Sequence, residues 1–234
     1  MHPATHPPGN RLLAALPRKD RLHFIAGCEE VQFVLSDVLY APGDQIRHVH
    51  FPSSGFVSLV TTVDGVPRLE VGLVGDEGMV GTPLVLGVAD SPLQALVQGG
   101  GVSLRMGAAP FRRELGQSAA LQRLLNRYLF VRMTHLAQSA GCTRFHVVEA
   151  RLARWLLMTQ DRSHSSTFRI THEFLALMLG VRRVGVTKAA TSLQKLKLIR
   201  YSRGAIEILD RPGLEAASCS CYGNDRETYR RVLG

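Results

Sequence analysis

The period of the apolar positions changes along the chain. From Val31 to Pro110 they come in short runs, among them VQFVL, HVHF, FVSLV, LEVGLV, LQALVQ and VSLRM. The runs are broken at Ala41-Pro42-Gly43-Asp44, Pro52-Ser53-Ser54-Gly55, Asp64-Gly65 and Gly75-Asp76-Glu77-Gly78. Brief apolar runs between Gly, Pro and Asp clusters predict strands, and Asp64-Gly65 predicts a tight hairpin. Many such strands at this spacing predict a sandwich or jelly-roll barrel. The segment Asn10–Cys28 reads as short helical pieces packed on that barrel.

From Ser118 to Gly141 the spacing becomes three and four, the mark of a helix. Leu121, Leu124, Tyr128, Val131 and His135 share one face, and Leu125, Leu129, Leu136 and Ala140 form a second stripe. A helix with two apolar faces needs two partners. The barrel can be one and the same helix of a second copy the other, so the stripe from Leu121 to His135 is expected to be a dimerisation seam. A further helix is expected over Val147–Gln160, with Val148, Leu152, Trp155 and Leu156 inward.

The run Thr171–Leu196 (THEFLALMLGVRRVGVTKAATSLQKL) predicts a helix-turn-helix. Thr171 is expected to cap the first helix, and Glu173 to face the positive end of its dipole. Ala176 supplies the small residue at the helix crossing, and Gly180 the turn. Leu175, Leu179, Val181, Val186, Ala189 and Leu193 would be buried around them. The second helix would then expose Arg183, Val184, Thr187, Lys188 and Thr191, with Arg182 at its start. Arginine can pair with guanine O6 and N7, and a valine or threonine methyl can meet the thymine methyl. Leu198–Tyr201 and Ala205–Ile208 predict a hairpin wing, with Arg203 at its tip placed for a phosphate.

Charge agrees with this layout. Of the net +9, residues 1–140 hold 12 Lys+Arg against 11 Asp+Glu, whereas residues 141–234 hold 16 against 8. From Phe174 to Ile206 there are seven Lys+Arg and no acid. One half of the chain is thus expected to meet a polyanion. The basic part lacks the interleaved aromatic residues of single-strand binders. No apolar run is long enough to span a bilayer, and the Pro- and His-rich start has no apolar core, so a cytoplasmic location without a membrane partner is expected.

The chain resembles the Crp/Fnr family of bacterial transcription regulators over nearly its whole length. The resemblance rests on Val38-Leu39-Tyr40-Ala41-Pro42-Gly43-Asp44, Phe51-Pro52-Ser53-Ser54-Gly55, Gly75-Asp76-Glu77-Gly78-Met79-Val80-Gly81 and Leu179-Gly180-Val181-Arg182-Arg183. It implies an α+β architecture with three parts. These are an N-terminal double-stranded β-helix (jelly-roll) barrel like a cyclic-nucleotide-binding domain, a long central dimerisation helix, and a C-terminal winged helix-turn-helix. The expected divisions are a sensor domain over 1–117, the dimerisation helix over 118–141, the DNA-binding domain over 142–213 and a C-terminal tail over 214–234. The implied partners are double-stranded DNA bearing a palindromic operator, a second copy of the chain, RNA polymerase and a small-molecule effector.

Departures from the family pattern narrow this expectation. Members that bind cyclic AMP use a Gly-Glu pair and an Arg-Ser or Arg-Thr pair, whereas here Gly81 precedes Thr82 and Ser91-Pro92-Leu93-Gln94 holds no arginine. A buried cyclic phosphate without a cation is poorly compensated, so cyclic AMP in the usual mode is not expected. Cys28 alone near the N-terminus argues against an iron–sulfur cluster of the family's oxygen sensors. Val184 stands where a glutamate is usual, which predicts a different operator.

A jelly roll can also be a cupin, a metal-dependent enzyme. His48 and His50 would share one strand face, but no glutamate follows closely, the nearest candidate being Glu70. Cys219-Ser-Cys221 is the only close cysteine pair, and with no third and fourth ligand near it in sequence no metal or cofactor is assigned. Asp76-Glu77 and Glu29-Glu30 read as turn and surface charges, and the chain is not expected to be an enzyme.

Overall fold

The computed structural model describes residues 9–64, 66–202 and 204–234. The expected hairpin tip at Gly65, the wing tip at Arg203 and the first eight residues lie outside the described residues. Two short helices, α1 (Arg11–Ala14) and α2 (Arg18–Ala26), lead into β1 (Glu29–Phe33), β2 (Val38–Tyr40), β3 (His48–Pro52), β4 (Phe56–Val63), β5 (Val66–Val74), β6 (Gln94–Gly99) and β7 (Gly101–Gly107). The strands form two antiparallel sheets of order β1-β7-β3 and β2-β6-β4-β5. Their facing sides bury Phe33, Val49, Phe51, Val57, Val74 and Val97, as the alternation of a jelly roll requires.

Helix α3 (Ala108–Gln117) leaves the barrel, and Ser118 then caps α4 (Ala119–Phe145), its side chain accepting from Leu121 N–H. At 27 residues α4 is about 40 Å long. It runs through Gly141 and ends at Phe145, four residues beyond the expected stop, with His146 as its C-cap. Then follow α5 (Val148–Ser163), β8 (Thr167–Arg169), α6 (His172–Leu179), α7 (Arg183–Lys195), β9 (Ile199–Ser202), β10 (Ala205–Ile208), α8 (Arg211–Ala217) and α9 (Cys221–Leu233). The three late strands make one antiparallel sheet of order β8-β10-β9. Residues 221–233, expected as a tail, are a helix packed along α4.

The expected dimer seam requires correction. Leu121, Leu124 and Tyr128 lie in the chain's own barrel core, and Val131 is equally buried at 1% exposure. Tyr128 donates to the Met79 carbonyl and packs so closely on Gly78 that a Cβ there would stand 2.2 Å from the phenol oxygen. His135 faces α9, its Nε2 lying 3.2 Å from the Asp225 carbonyl. The side of α4 left open carries Phe130, Met133 and Leu136, at 52%, 68% and 41% exposure, with Ala137 and Ala140. Leu125 of the second stripe is buried in the same core, and only the far end of that stripe, Leu136 and Ala140, is exposed, so spacing alone could not tell where along the helix the barrel contact ends.

A second correction concerns the turn Gly75–Gly78. Asp76 and Glu77 are buried, not surface charges. Asp76 pairs with Arg11 at 2.9 Å, and Glu77 with Arg162 near the end of α5 at 2.7 Å. Tyr229 of α9 donates to the Glu77 carbonyl at 2.8 Å. This turn is the seam between barrel and C-terminal domain. Burial alone would raise the Glu77 carboxyl pKa, but Arg162, the backbone N–H of Gly75 and Arg11 outweigh it and hold it below the usual range. Nearby, Glu70 of β5 accepts from Ser58 Oγ at 2.5 Å and from the Trp155 indole N–H at 3.0 Å, tying the barrel to α5.

Candidate nucleic-acid interface

The C-terminal domain packs α5, α6, α7, α8 and the three-stranded sheet around Leu152, Leu156, Leu175, Val186, Leu193, Ile199 and Ile206. Within it α6 and α7 make a helix-turn-helix. The Thr171 hydroxyl accepts from Phe174 N–H and starts α6. Gly180 ends it with φ 61° and ψ 41°, the left-handed conformation that glycine adopts without strain. Ala176 is buried at the crossing, and the Val181 N–H returns to its carbonyl at 2.9 Å. Arg182 then precedes α7.

The inner side of α7 buries Val186, Ala189, Ala190 and Leu193. Its outer side exposes Arg183, Val184, Thr187, Lys188 and Thr191, with Arg182 and Thr171 at the flank. Val184 is 59% exposed, so its methyls are free for contact. Among the described residues, Arg182, Arg183 and Lys188 have no acid partner, and Arg182 and Arg183 stand at the positive end of the helix dipole. The structure thus brings seven of the eight expected contact residues to one face; the eighth, Arg203, is outside the described residues. Arg200 on the wing is engaged, its guanidinium bound to Glu207 at 2.5 Å.

Two residues that the sequence pattern did not single out brace this face. The His172 ring stacks on Tyr201 of the wing at 4.1 Å between centroids, and its Nδ1 lies 3.0 Å from Thr187 Oγ1. The Thr187 hydroxyl also donates to the Arg183 carbonyl at 3.1 Å, which ties the ring, the threonine and the start of α7 together. Burial and the nearby Arg183 lower the His172 pKa. The stacked residues stand 29 positions apart in sequence with no local signal, which is why periodicity missed the pair.

The cupin reading does not hold. His48 and His50 lie side by side on β3, with ring centroids 6.3 Å apart, and among the described residues no third ligand joins them. Glu70 is held by Ser58 and Trp155 instead. Burial, aided by His48 and Arg105, pushes the His50 pKa down to about 4, which is the behaviour of a neutral core imidazole.

A metal-competent cluster exists elsewhere. Cys142, His146, Cys219 and Cys221 bring their ligand atoms within 4.8 Å of one another. The expectation that Cys219 and Cys221 lack further ligands is thereby corrected. The missing pair comes from the far end of α4, where the helix runs on past Gly141.

The family of Crp-like helix-turn-helix domains matches residues 150–217. No curated protein sequence matches the chain. Among solved structures, FixK2 from Bradyrhizobium japonicum is 13% identical, with a TM-score of 0.69 over 82% of this chain and 98% of its own. The c-di-GMP responsive global regulator CLP from Xanthomonas campestris is 17% identical, with a TM-score of 0.67 over 82% and 99%. A transcriptional regulator of the Crp/Fnr family from Eubacterium rectale is 18% identical, with a TM-score of 0.68 over 88% and 96%. Residues 150–217 are thus a Crp-like helix-turn-helix domain, and the chain as a whole shares the fold of these solved structures.

Proposed function

We propose that the protein binds a two-fold symmetric DNA operator as a homodimer, laying α7 of each copy in the major groove. The observation that carries this reading is the outer face of α7, where exposed cations without acid partners surround a free valine and threonine methyls. Arg183 is the candidate for paired bonds to guanine, and Val184 and Thr187 are candidates for the thymine methyl. Arg182, Lys188 and Thr191 extend the contact, and Thr171 lies beside the backbone. Arg203 would add a phosphate contact from the wing tip.

The dimer seam in this reading is the open side of α4. Phe130, Met133, Ala137 and Ala140 follow a spacing of three, four and three, the a/d pattern of a two-helix seam, and Leu136 flanks it. Met133→Glu should convert the dimer to a monomer in sedimentation analysis at micromolar concentration. A dimer that persists in this variant would remove α4 as the seam. The barrel is read as a sensor for a signal other than cyclic AMP in the usual mode. Its interior is filled by Ile46, Val49, Met79 and Leu84, and the stretch from Gly81 to Gln94 carries no cation. RNA polymerase is the expected partner at the promoter.

Genomic footprinting of the intact protein tests the reading as a whole. Protected sites should share a palindrome whose half-sites stand one helical turn apart, roughly 34 Å. Protection without any shared two-fold sequence would overturn it.

A further inference from the structure

Three of the four cysteines converge at one point with a histidine. Cys142 lies in the last turn of α4, His146 caps that helix, Cys219 sits between α8 and α9, and Cys221 is the first residue of α9. Cys142 Sγ is 3.6 Å from Cys219 Sγ, and Cys221 Sγ is 3.5 Å from His146 Nδ1. A tetrahedral zinc ion with bonds of about 2.3 Å to sulfur and 2.0 Å to nitrogen requires edges of about 3.8 Å between sulfurs and 3.5 Å from sulfur to nitrogen. The sulfur–nitrogen edge matches, the sulfur–sulfur edge of 3.6 Å is slightly shorter, and the remaining ones lie within 4.8 Å.

We infer that Cys142, His146, Cys219 and Cys221 form a tetrahedral Cys3His site for a single zinc-class cation that locks the joint between the long helix and the DNA-binding domain. Three thiolates and a neutral imidazole are the ligand set of closed structural zinc sites, with no position left open for water. An iron–sulfur cluster would need its ligands spread around a polynuclear core, further apart than these. Binding forms three metal–sulfur bonds and one metal–nitrogen bond, and the three thiol protons leave to solvent.

The surroundings suit the product. A divalent ion with three thiolates carries a net charge of −1, and the buried guanidiniums of Arg151 and Arg154 stand within electrostatic reach of Cys142 and Cys219. Arg151 donates to the Leu179 carbonyl at the end of α6, and Arg154 pairs with Asp225 of α9 at 2.5 Å. The site therefore adjoins both the helix-turn-helix and the helix that latches onto the barrel. The three cysteines are all buried and form a cluster separate from the two larger cores. A group of buried thiols can be plain packing, since free cysteine behaves as a small apolar residue. Packing alone does not require an imidazole in their midst at bonding geometry.

The test uses the full chain, prepared reduced and metal-free and then titrated with Zn2+ or Co2+ alone. The expected result is one equivalent of Zn2+ per chain, a Tm that rises with Zn2+, and Co2+ spectra with thiolate charge transfer and tetrahedral d–d bands. Cys219→Ser and His146→Ala should each weaken Zn2+ binding by more than about 100-fold, beyond the loss typical of a changed supporting residue. Cys28→Ser, remote from the cluster, should leave binding unchanged. Should a ligand variant fail to fold, stepwise thiol titration of the wild type supplies the reading: one Zn2+ should be released as three protected thiols react, while the fourth reacts independently. A folded chain that takes up less than a tenth of an equivalent would overturn the proposal. So would iron with labile sulfide, or a Cys142–Cys219 disulfide in the protein as isolated from cells under anaerobic conditions.

Discussion

Two sets of arginines in the C-terminal part of this chain do opposite work. On α7, Arg182 and Arg183 are exposed and have no acid partner among the described residues. At the seam, Arg154, Arg162 and Arg211 are held against Asp225, Glu77 and Asp161 at 2.5, 2.7 and 2.7 Å. A count of charges along the chain cannot separate them. It identifies the basic half correctly, but only pairing shows which cations remain available to a polyanion. The difference is energetic as well as spatial. A free surface arginine contributes little to stability, whereas a buried one depends on its carboxylate.

The largest consequence falls on the seam. Arg162→Met strands the buried Glu77 carboxylate and should destabilise the fold by about 3–5 kcal/mol. For a chain of this size each kcal/mol lowers Tm by roughly 2–4 °C, so calorimetry should show the loss clearly. Adding Glu77→Gln to that variant should recover part of it. Arg183→Ala in the same assay should lie within about 0.5 kcal/mol of wild type. Equal destabilisation by Arg162→Met and Arg183→Ala would erase the contrast between the two sets.

A smaller effect sharpens the seam further through pH. Burial raises the Glu70 carboxyl to about 7, against the opposing bonds from Ser58 and Trp155. The folded chain then keeps a proton that the unfolded chain loses above its usual value of 4.5. The stabilisation linked to that proton is complete below pH 4.5 and is lost as pH rises to about 7, with no further change above. Glu70 keeps some solvent contact, so the span is at most about 3 kcal/mol. Denaturant titrations at several pH values should show Glu70→Gln flattening this slope relative to wild type. An unchanged slope would mean that Glu70 ionises normally.

The smallest effect belongs to the DNA-binding face. His172→Phe keeps the stack on Tyr201 but removes the bond to Thr187, a loss of about 0.5–1.5 kcal/mol. Thr187 keeps its bond to the Arg183 carbonyl, so operator affinity should fall modestly while the salt dependence stays the same. A steeper or shallower salt slope would place His172 on a phosphate instead.

Much of this was legible beforehand, and the failures share a cause. The strands, the helix-turn-helix and its exposed residues follow from local signals: turn residues, a cap at Thr171, a glycine at 180 and helical spacing. What could not be read were facts of tertiary placement. Leu121 to Val131 carry the same period as the open side of α4, and only the barrel decides between them. Asp76 and Glu77 look like turn charges until Arg11 and Arg162 arrive from distant positions. Gly141 suggests a helix end, which detaches Cys142 and His146 from the cysteine pair 77 residues later.

In the proposed function, Arg183 reads sequence from an exposed α7. Its most direct measurement is the affinity of wild type and Arg183→Ala for the footprinted operator, for single-base-pair variants of it and for unrelated duplex, at fixed salt. Arg183→Ala should lose about 1–3 kcal/mol per half-site on the operator and no longer discriminate at one base pair in each, with little change on unrelated DNA. A uniform loss on every duplex, with discrimination intact, would contradict it.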